Sequence, residues 1–468
     1  MAITSPIYDP TTTATKLATS YVAGTKAILD DRGATADATA NGLTTLGSAL
    51  NAFQTAIGAL ASSTSSISEN SASFSSATIG SASAKSTAVA GTYSFYVEQL
   101  ATAGQVSYGG ITDSVAAGAG NLTVTLADGT DFQIDLANAD GNRDGVLSAK
   151  EIAAAINIAA GNNSRVTAST LSVNGTSTLV LTSAQTGAAG GATLDTSGVN
   201  DANLKSQLDD PLNKKQLVTA QDAIIWIGAQ TSGTRVQQAS NTFNLIDDVS
   251  LTFSRAQAVG ESPVTLTVAP DNSATASNVQ AFVDAYNKLN TTLAGLTSAG
   301  NPNAKPAVSP GIFANDAGLS ALRSRMAGAL RSVTGGQSLI AFGITANRNG
   351  SLTIDSGRLN KAIAAHPGDL DALFGKSLVG AETGVLGSLG TLARQWTSSS
   401  NGQITSRTDA VSKQQKDITT RQATLQTQYD NAYKRYLKQF TALQDLQSQM
   451  TSTSNIFTAL FSSSSSSS

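Results

Sequence analysis

The chain has no cysteine among its 468 residues. That excludes a disulfide framework, a zinc–thiolate site and a cysteine nucleophile. Charge is scarce as well: 13% of residues are Asp, Glu, Lys or Arg, against roughly 25% in an ordinary globular protein. With a net charge of −3, nucleic acid and anionic membrane surfaces are not expected as main partners, since both are held by an excess of basic side chains. No apolar run approaches the about 20 residues of a membrane-spanning helix, so membrane insertion is not expected either. The opening stretch, Met1 to Asp9, lacks a basic region followed by an apolar one and is not read as a cleaved secretory signal. The single histidine, His366, precedes Pro367 with no serine–aspartate pattern around it, which points to a structural role. Phosphate-cradling glycine loops, dinucleotide fingerprints and zinc spacings are missing. Asp209-Asp210 and Asp247-Asp248 are adjacent carboxylates, which face opposite ways on a strand and read as turn or surface residues. Neither an enzyme nor a required cofactor is expected.

Ser, Thr, Ala, Gly and Asn fill the space left by charge. This bias suggests an exported surface protein, delivered without a cleaved signal. The clearest patterning lies at the two ends. From Gln403 onward there is no Gly or Pro, and Ile404, Val411, Ile418 and Leu425 recur every seven residues. Four residues on, Tyr429, Tyr436, Leu443, Met450 and Phe457 continue at the same interval. Seven residues make two turns of a slightly under-wound helix, so each ladder keeps to one face of a rod about 85 Å long. Such a rod needs partner helices to cover its stripe. The N-terminal end offers one, because Leu43, Leu46, Leu50, Phe53, Ile57 and Leu60 are spaced 3-4-3-4-3, with a looser pattern at Leu17, Tyr21, Ile28 and Leu29 upstream. With Tyr and Met in its seam, the C-terminal rod is expected to contact other subunits. Arg394 to Lys438 carries eight Lys or Arg against three Asp, read as a solvated basic face. The final seven serines, residues 462–468, cannot pack and are expected to be disordered.

Between the ends the period changes. Ala61 to Lys85 is Ser- and Ala-rich and reads as a linker. From Thr92 to about Ala269 the alternation is that of strands. Leu122–Leu126 and Phe132–Leu136 form a hairpin on Asp128-Gly129, and Val166–Val173 and Thr176–Ser183 form another on Asn174-Gly175. Further strands are expected at Ala223–Ile227, Val249–Phe253 and Val264–Val268. Two β-rich lobes fit, with the break in the Gly-rich run 186–198 or the polar run to Lys215. Helical spacing returns with Val279, Phe282, Tyr286, Leu289, Leu293 and Leu296. A second helix face runs Leu319, Leu322, Met326, Leu330 and Val333, capped by Asn315-Asp316. A hairpin joins Phe342–Ala346 to Ser351–Ile354, and Leu386, Leu389, Leu392 and Trp396 form a last helix before the rod. These helices and the Leu43–Leu60 seam are expected to form one bundle around Phe282, Tyr286 and Leu289.

One loop matches a metal-binding scheme. Asp140, Asn142, Asp144, Gly145, Ser148 and Glu151 occupy positions 1, 3, 5, 6, 9 and 12 of the EF-hand calcium loop, with the Val146 carbonyl at position 7. Calcium binding there would be weak, on the order of millimolar to submillimolar. The competing reading is structural: Ser148 to Glu151 is also a capping box for the helix Ile152–Ala160, and Asp and Asn are common turn formers.

Four stretches, taken in order, resemble the bacterial flagellar filament cap family (flagellar hook-associated protein 2). They are the strand Gly91–Ala101, the "Phe-Val-x-x-Tyr-Asn" helix within Asn278–Leu289, the Phe342–Asp355 hairpin followed by Leu359 and Leu373-Phe374, and the rod ending near Gln449-Met450. Tyr8-Asp9-Pro10-Thr11 departs from the small-Gly-Leu-Asp run of many members, which bears on subgroup. The resemblance implies an α+β multidomain chain: N- and C-terminal coiled-coil-like helices, an α-helical bundle with a short hairpin, and two inserted β-rich domains. The division expected is a partly flexible N-terminal leg (1–42), a bundle helix (43–75), an inner β domain in two parts (76–111 and 213–272) around an outer β-rich domain (112–212), the bundle helices and hairpin (273–402), and the C-terminal leg (403–468). It implies a ring of subunits, usually five, at the filament tip, extracellular and exported through the flagellum's own channel. Flagellin and the junction protein would be partners, and the ring would retain flagellin and promote its folding and insertion. The alternatives are another axial flagellar protein (flagellin or a junction protein) or a surface adhesin with a host receptor for glycan or matrix.

Overall fold

The computed structural model describes residues 9–62, 65–173, 175–334, 336–365 and 368–463. His366, Asn174 of the expected hairpin turn, residues 1–8 and the last five serines lie outside these. The chain divides into two compact units, Met1–Ser63 with Ala276–Ser468, and Thr64–Thr275.

The first unit is helical. An N-terminal helix runs unbroken over Pro10–Leu60, 51 residues. The separate leg and bundle helix expected from the sequence are therefore one rod, which stops at Leu60 and not at residue 75. Asp9 starts it by accepting from the Thr11 and Thr12 amides at 3.2 and 2.8 Å, with Pro10 where a free N–H would have no partner. Interior glycines cost a helix about 1 kcal/mol each relative to Ala, and at Gly42 packing demands one. A Cβ there would stand 2.7 Å from Ile312 and 2.8 Å from Phe313. Leu43, Leu46, Leu50, Phe53, Ile57 and Leu60 are all buried, as their spacing requires.

The motif helix, Asn272–Thr297, shows why its residues are of those types. Phe282 meets Phe374 edge-on at 5.1 Å, and Tyr286 meets Phe53 edge-on at 6.5 Å. Asn287 grips the backbone of Leu352 with both ends of its amide, at 2.7 and 2.9 Å. That bond pair fixes the hairpin Ile344–Ala346 and Leu352–Ile354, in which Ile344 pairs with Ile354. Leu289 is buried alongside. Asp316 caps the helix Ala317–Leu330 through the Leu319 amide at 2.8 Å. Val333, placed on this face by spacing, lies beyond the helix end and is exposed. Helices Ser356–Ala365, Asp369–Phe374 and Gly384–Thr397 complete the bundle ahead of the C-terminal helix, Gln403–Ser463.

The second unit holds two β cores. In the inner one a five-stranded sheet runs in the order Asn70–Phe74, Val264–Pro270, Gly91–Gln99, Ala223–Ile227, Thr234–Gln238. A three-stranded sheet, Thr242–Ile246, Val249–Phe253, Gly80–Ala84, accompanies it. Phe253 lies between Phe74, Phe95 and Phe243, with ring centroids 5.4 to 6.0 Å away. In the outer lobe a four-stranded sheet is ordered Lys214–Val218, Ala103–Ile111, Thr176–Thr186, Val166–Val173. The strands Ala192–Asp195, Asn121–Leu126 and Asp131–Asp135 form its companion sheet, and helices Ala149–Ile158 and Ala202–Asp209 cover the core.

The chain therefore changes lobes between Gln99 and Ala103 and again between Val218 and Ala223, not at 111/112 and 212/213. The expected linker over 61–85 contains two strands, Asn70–Phe74 and Gly80–Ala84. Their inward residues, Ala72, Phe74, Ala82 and Ala84, lie against the inner core, but alanine and serine carry too little hydrophobic contrast to show the alternation in sequence.

Candidate functional site

The two long helices of the first unit lie side by side and antiparallel. A Cβ added at Gly47 would stand 3.7 Å from Ile404, and one at Gly33 would stand 3.9 Å from Ile418. Gln415 donates to Asp37 at 2.7 Å, and Val22 and Leu29 cluster with Leu425 and Tyr429. Position numbers thus fall along one helix as they rise along the other.

This arrangement corrects the expectation that the whole rod is reserved for other subunits. Val411, Ile418 and Leu425 are buried against the N-terminal helix of the same chain, and Ile404, Tyr429 and Tyr436 are half-buried. The partner face is narrow, built of Ala14, Ala18, Val22, Leu29 and Ala36, so small side chains receive large ones. Leu29 of the looser upstream pattern belongs to it, while Leu17, Tyr21 and Ile28 are exposed. Ala432, which the seven-residue ladder did not include, is 3% exposed. It nonetheless lies seven residues after Leu425, in step with Ile404, Val411 and Ile418, but an alanine has too little hydrophobicity to mark the stripe.

The C-terminal helix outlasts its partner. Continuing the register set by Gly47 and Gly33 puts Pro10 opposite Thr441, and no described residue covers the helix beyond that point. The stripe goes on regardless. Leu443, Leu446, Met450, Phe457 and Leu460 follow 3-4 spacing with Thr453 in the gap, and are 43, 53, 65, 58 and 62% exposed respectively. The 61-residue helix thus has a proximal part packed within the chain and a distal part with an open apolar face.

At its base the rod is fixed by contacts the sequence did not reveal. Arg407 reaches Asp316 with two bonds, 2.6 and 3.2 Å, and stacks over Trp396 at 5.0 Å. Burial works to raise the Asp316 pKa, but the bonds from Arg407 and the Leu319 amide outweigh it and hold the carboxyl below its usual range.

The candidate calcium loop lies in the outer lobe and closes on itself. Asp140 accepts from the amides of Arg143, Asp144 and Gly145 at 2.6, 3.3 and 2.8 Å. Asp144 accepts from the Val146 amide at 2.8 Å and from the Asn142 side chain at 2.9 Å. Val146 and Leu147 pair with Ser114 and Val115. Glu151 accepts from the Ser148 amide at 3.0 Å and its hydroxyl at 2.8 Å, completing the capping box, and reaches back to the Gly141 amide. The Ser148 donors, first among these, hold the Glu151 carboxyl below the usual range. Among the described residues no three acidic, histidine or cysteine groups converge as a metal cage requires. A cation would therefore need Glu151 to turn from its capping bonds toward Asp140 and Asp144. Asp209 ends the helix Ala202–Asp209 and accepts from Thr196, while Asp210 and Asp248, outside helices and strands, accept from Leu212 and Thr87 respectively.

Among the described residues no helix is long and apolar enough to cross a membrane. Comparison with known proteins bears on the whole chain. The family model for the N-terminus of flagellar hook-associated protein 2 matches residues 8–104, and that for its C-terminus matches residues 220–452. The unmatched stretch coincides with the outer lobe and its loop. The lateral flagellar hook-associated protein 2 of Vibrio parahaemolyticus is 33% identical, over 80% of this chain and 82% of its own length. The B-type flagellar hook-associated protein 2 of Pseudomonas aeruginosa is 29% identical, over 87% of each chain. A crystal structure of the D1-D2-D3 domains of the flagellar cap protein FliD from Escherichia coli superposes with a TM-score of 0.60 at 26% identity, covering 79% of this chain and 99% of that one. These relationships favour a cap over flagellin, a junction protein or an adhesin. The chain belongs to the flagellar hook-associated protein 2 family, the structural proteins that oligomerise at the extracellular tip of the bacterial flagellar filament and cap it.

Proposed function

We propose that this chain is one subunit of a closed ring, of about five copies, that retains exported flagellin at the filament tip and promotes its folding and insertion. Its distal C-terminal helix would grip neighbouring copies, flagellin or, before a filament exists, the junction protein. The observation that carries this reading is the open stripe Leu443–Leu460 beyond the end of the N-terminal helix. Full burial of an aliphatic or aromatic side chain is worth about 1.5–3 kcal/mol, so five such positions can hold a subunit in place. The exposed Thr453 and the flexible Met450 keep the contact short of a uniform Leu zipper. That suits a ring whose symmetry does not match the filament lattice, because one contact must release whenever an incoming flagellin folds. Export would run through the flagellum's own channel. The absence of a catalytic pattern fits a mechanical role and no enzymatic one.

Truncation after Ala442 tests this reading. The remaining leg should stay folded, because Val411, Ile418, Leu425 and Ala432 keep their partner helix. Ring formation and filament growth should fail, with flagellin accumulating in the medium. Normal filaments and motility would overturn it.

We further propose weak calcium binding at Asp140–Glu151, resting on the six matched loop positions. At 10-fold excess over Kd, calcium would stabilise by about 1.4 kcal/mol. Calorimetry should show calcium-linked heat that Glu151→Gln removes. No heat at millimolar calcium removes the proposal.

A further inference from the structure

An open cleft of about 910 Å³ lies between the motif helix, the helix Ala317–Leu330 and the hairpin Ile344–Ile354. Its floor is apolar, with Leu293, Met326, Leu330 and Leu339 all buried. Arg323, Arg331 and Arg348 line it, and no Asp or Glu does. That segregation stands out in a chain with 29 basic and 32 acidic residues. Four arginines elsewhere in the fold have carboxylate partners: Arg394 with Glu382, Arg407 with Asp316, Arg255 with Glu261 and Arg421 with Asp417. Arg323 donates to the Thr297 hydroxyl at 3.0 Å, while Arg331 and Arg348 are exposed and form no ion pair among the described residues.

The hairpin wall is held rigidly. Asn287 bonds the Leu352 backbone, and Asn290 donates to the Asn349 carbonyl at 3.2 Å. Gly350 has φ +83°, and a Cβ there would stand 3.0 Å from Asn290, so the close approach of hairpin to helix needs glycine. The cleft is thus preformed, and its volume falls in the range of ligand and peptide sites, about 300–1,000 Å³. On its rim Ile340 is 60% exposed, an apolar side chain with nothing over it.

We propose that this cleft docks an acidic, aliphatic peptide segment of a partner polypeptide. Carboxylates would be forked by Arg331 and Arg348, and aliphatic side chains would cover Ile340 and the floor. Guanidinium groups bind carboxylates with two parallel hydrogen bonds, which gives direction as well as attraction. A small inorganic anion would leave most of the apolar volume empty, so the observations favour a peptide. The proposal stands apart from the reading of the distal leg, which uses none of these residues.

Fluorescence anisotropy on the full chain tests it. The probe is a short fluorescein-labelled peptide of alternating glutamate and leucine, with a glutamine–leucine peptide as charge control and inorganic phosphate as competitor. The glutamate peptide should bind saturably and more weakly as salt rises. The glutamine peptide should bind at least about tenfold more weakly. Arg331→Ala with Arg348→Ala should weaken the glutamate peptide by a similar factor without moving the melting curve, both side chains being exposed. Ala327 also lines the cleft, and Ala327→Trp, which adds bulk there and leaves every arginine in place, should also reduce binding. Equal binding of the two peptides, or undiminished binding by the double arginine variant, would overturn the proposal. So would complete displacement by millimolar phosphate, which would leave a free-anion site only.

Discussion

The base and the tip of the C-terminal helix have the same pattern and opposite surroundings. At the base, Arg407 is fixed to Asp316 and Trp396, and the apolar ladder is covered as far as Ala432. At the tip, the ladder continues from Leu443 to Leu460 in the open. The difference teaches that a heptad stripe specifies the need for a partner and leaves the identity of the partner unspecified. How much of it this chain supplies is set by the length of the N-terminal helix. The N-terminal helix starts at Pro10, and no described residue covers the part of the seam beyond its reach.

The largest effect is expected at the aromatic core. Phe282→Ala empties the contact with Phe374 and Tyr286 and should cost about 3–5 kcal/mol of monomer stability. Phe457→Ala removes a similar side chain from the exposed tip and should change monomer stability by less than about 0.5 kcal/mol, while weakening assembly. Paired denaturant titrations and sedimentation runs check both. If Phe457→Ala destabilised the monomer as Phe282→Ala does, the tip would not be open.

A middle-sized effect is expected from Asn287→Ala, which leaves the Leu352 amide and carbonyl without partners. The loss should be about 1–3 kcal/mol, and Asn287→Asp should recover only the half that accepts from the Leu352 amide. Thermal melts of the two variants separate these outcomes.

The smaller effect concerns pH at the base. Because the Asp316 carboxyl titrates below its unfolded-state value, its contribution is present above about pH 4 and fades as pH falls through the lower folded-state pKa. Asp316→Asn should therefore be less stable than the natural protein near neutrality, and the gap should narrow in acid. A gap that stays constant down to about pH 2 would mean that the Arg407 pairing contributes nothing.

Much of the first unit was legible in the sequence because its signals are large and periodic. Leucine spacing marks the N-terminal helix, and the aromatic pair Phe282 and Tyr286 marks the bundle. The Leu122–Leu126 hairpin was equally plain, since Asp128-Gly129 supplies the turn. The strands at Asn70–Phe74 and Gly80–Ala84 were hidden because alanine and serine alternate with almost no contrast in hydrophobicity. The lobe boundary was misplaced for a different reason: Ala103–Ile111 has ordinary strand residues, and only its partners, Thr176–Thr186 and Lys214–Val218, assign it to the outer sheet. Pairing across so long a separation leaves no local mark. The same holds for Arg407 and Asp316, which are far apart in the chain. The cleft arginines belong to three separate elements, so no local run of charge announces them.

The most direct test uses the absence of cysteine, since any introduced thiol is then the only one. Ala432→Cys and Phe457→Cys should be labelled with a maleimide before and after assembly with flagellin filaments. The thiol at position 432 should be protected in both states, while that at position 457 should react freely in the monomer and be shielded once the cap is seated. A thiol at 457 that reacts equally in both states, or is already shielded in the monomer, would contradict it.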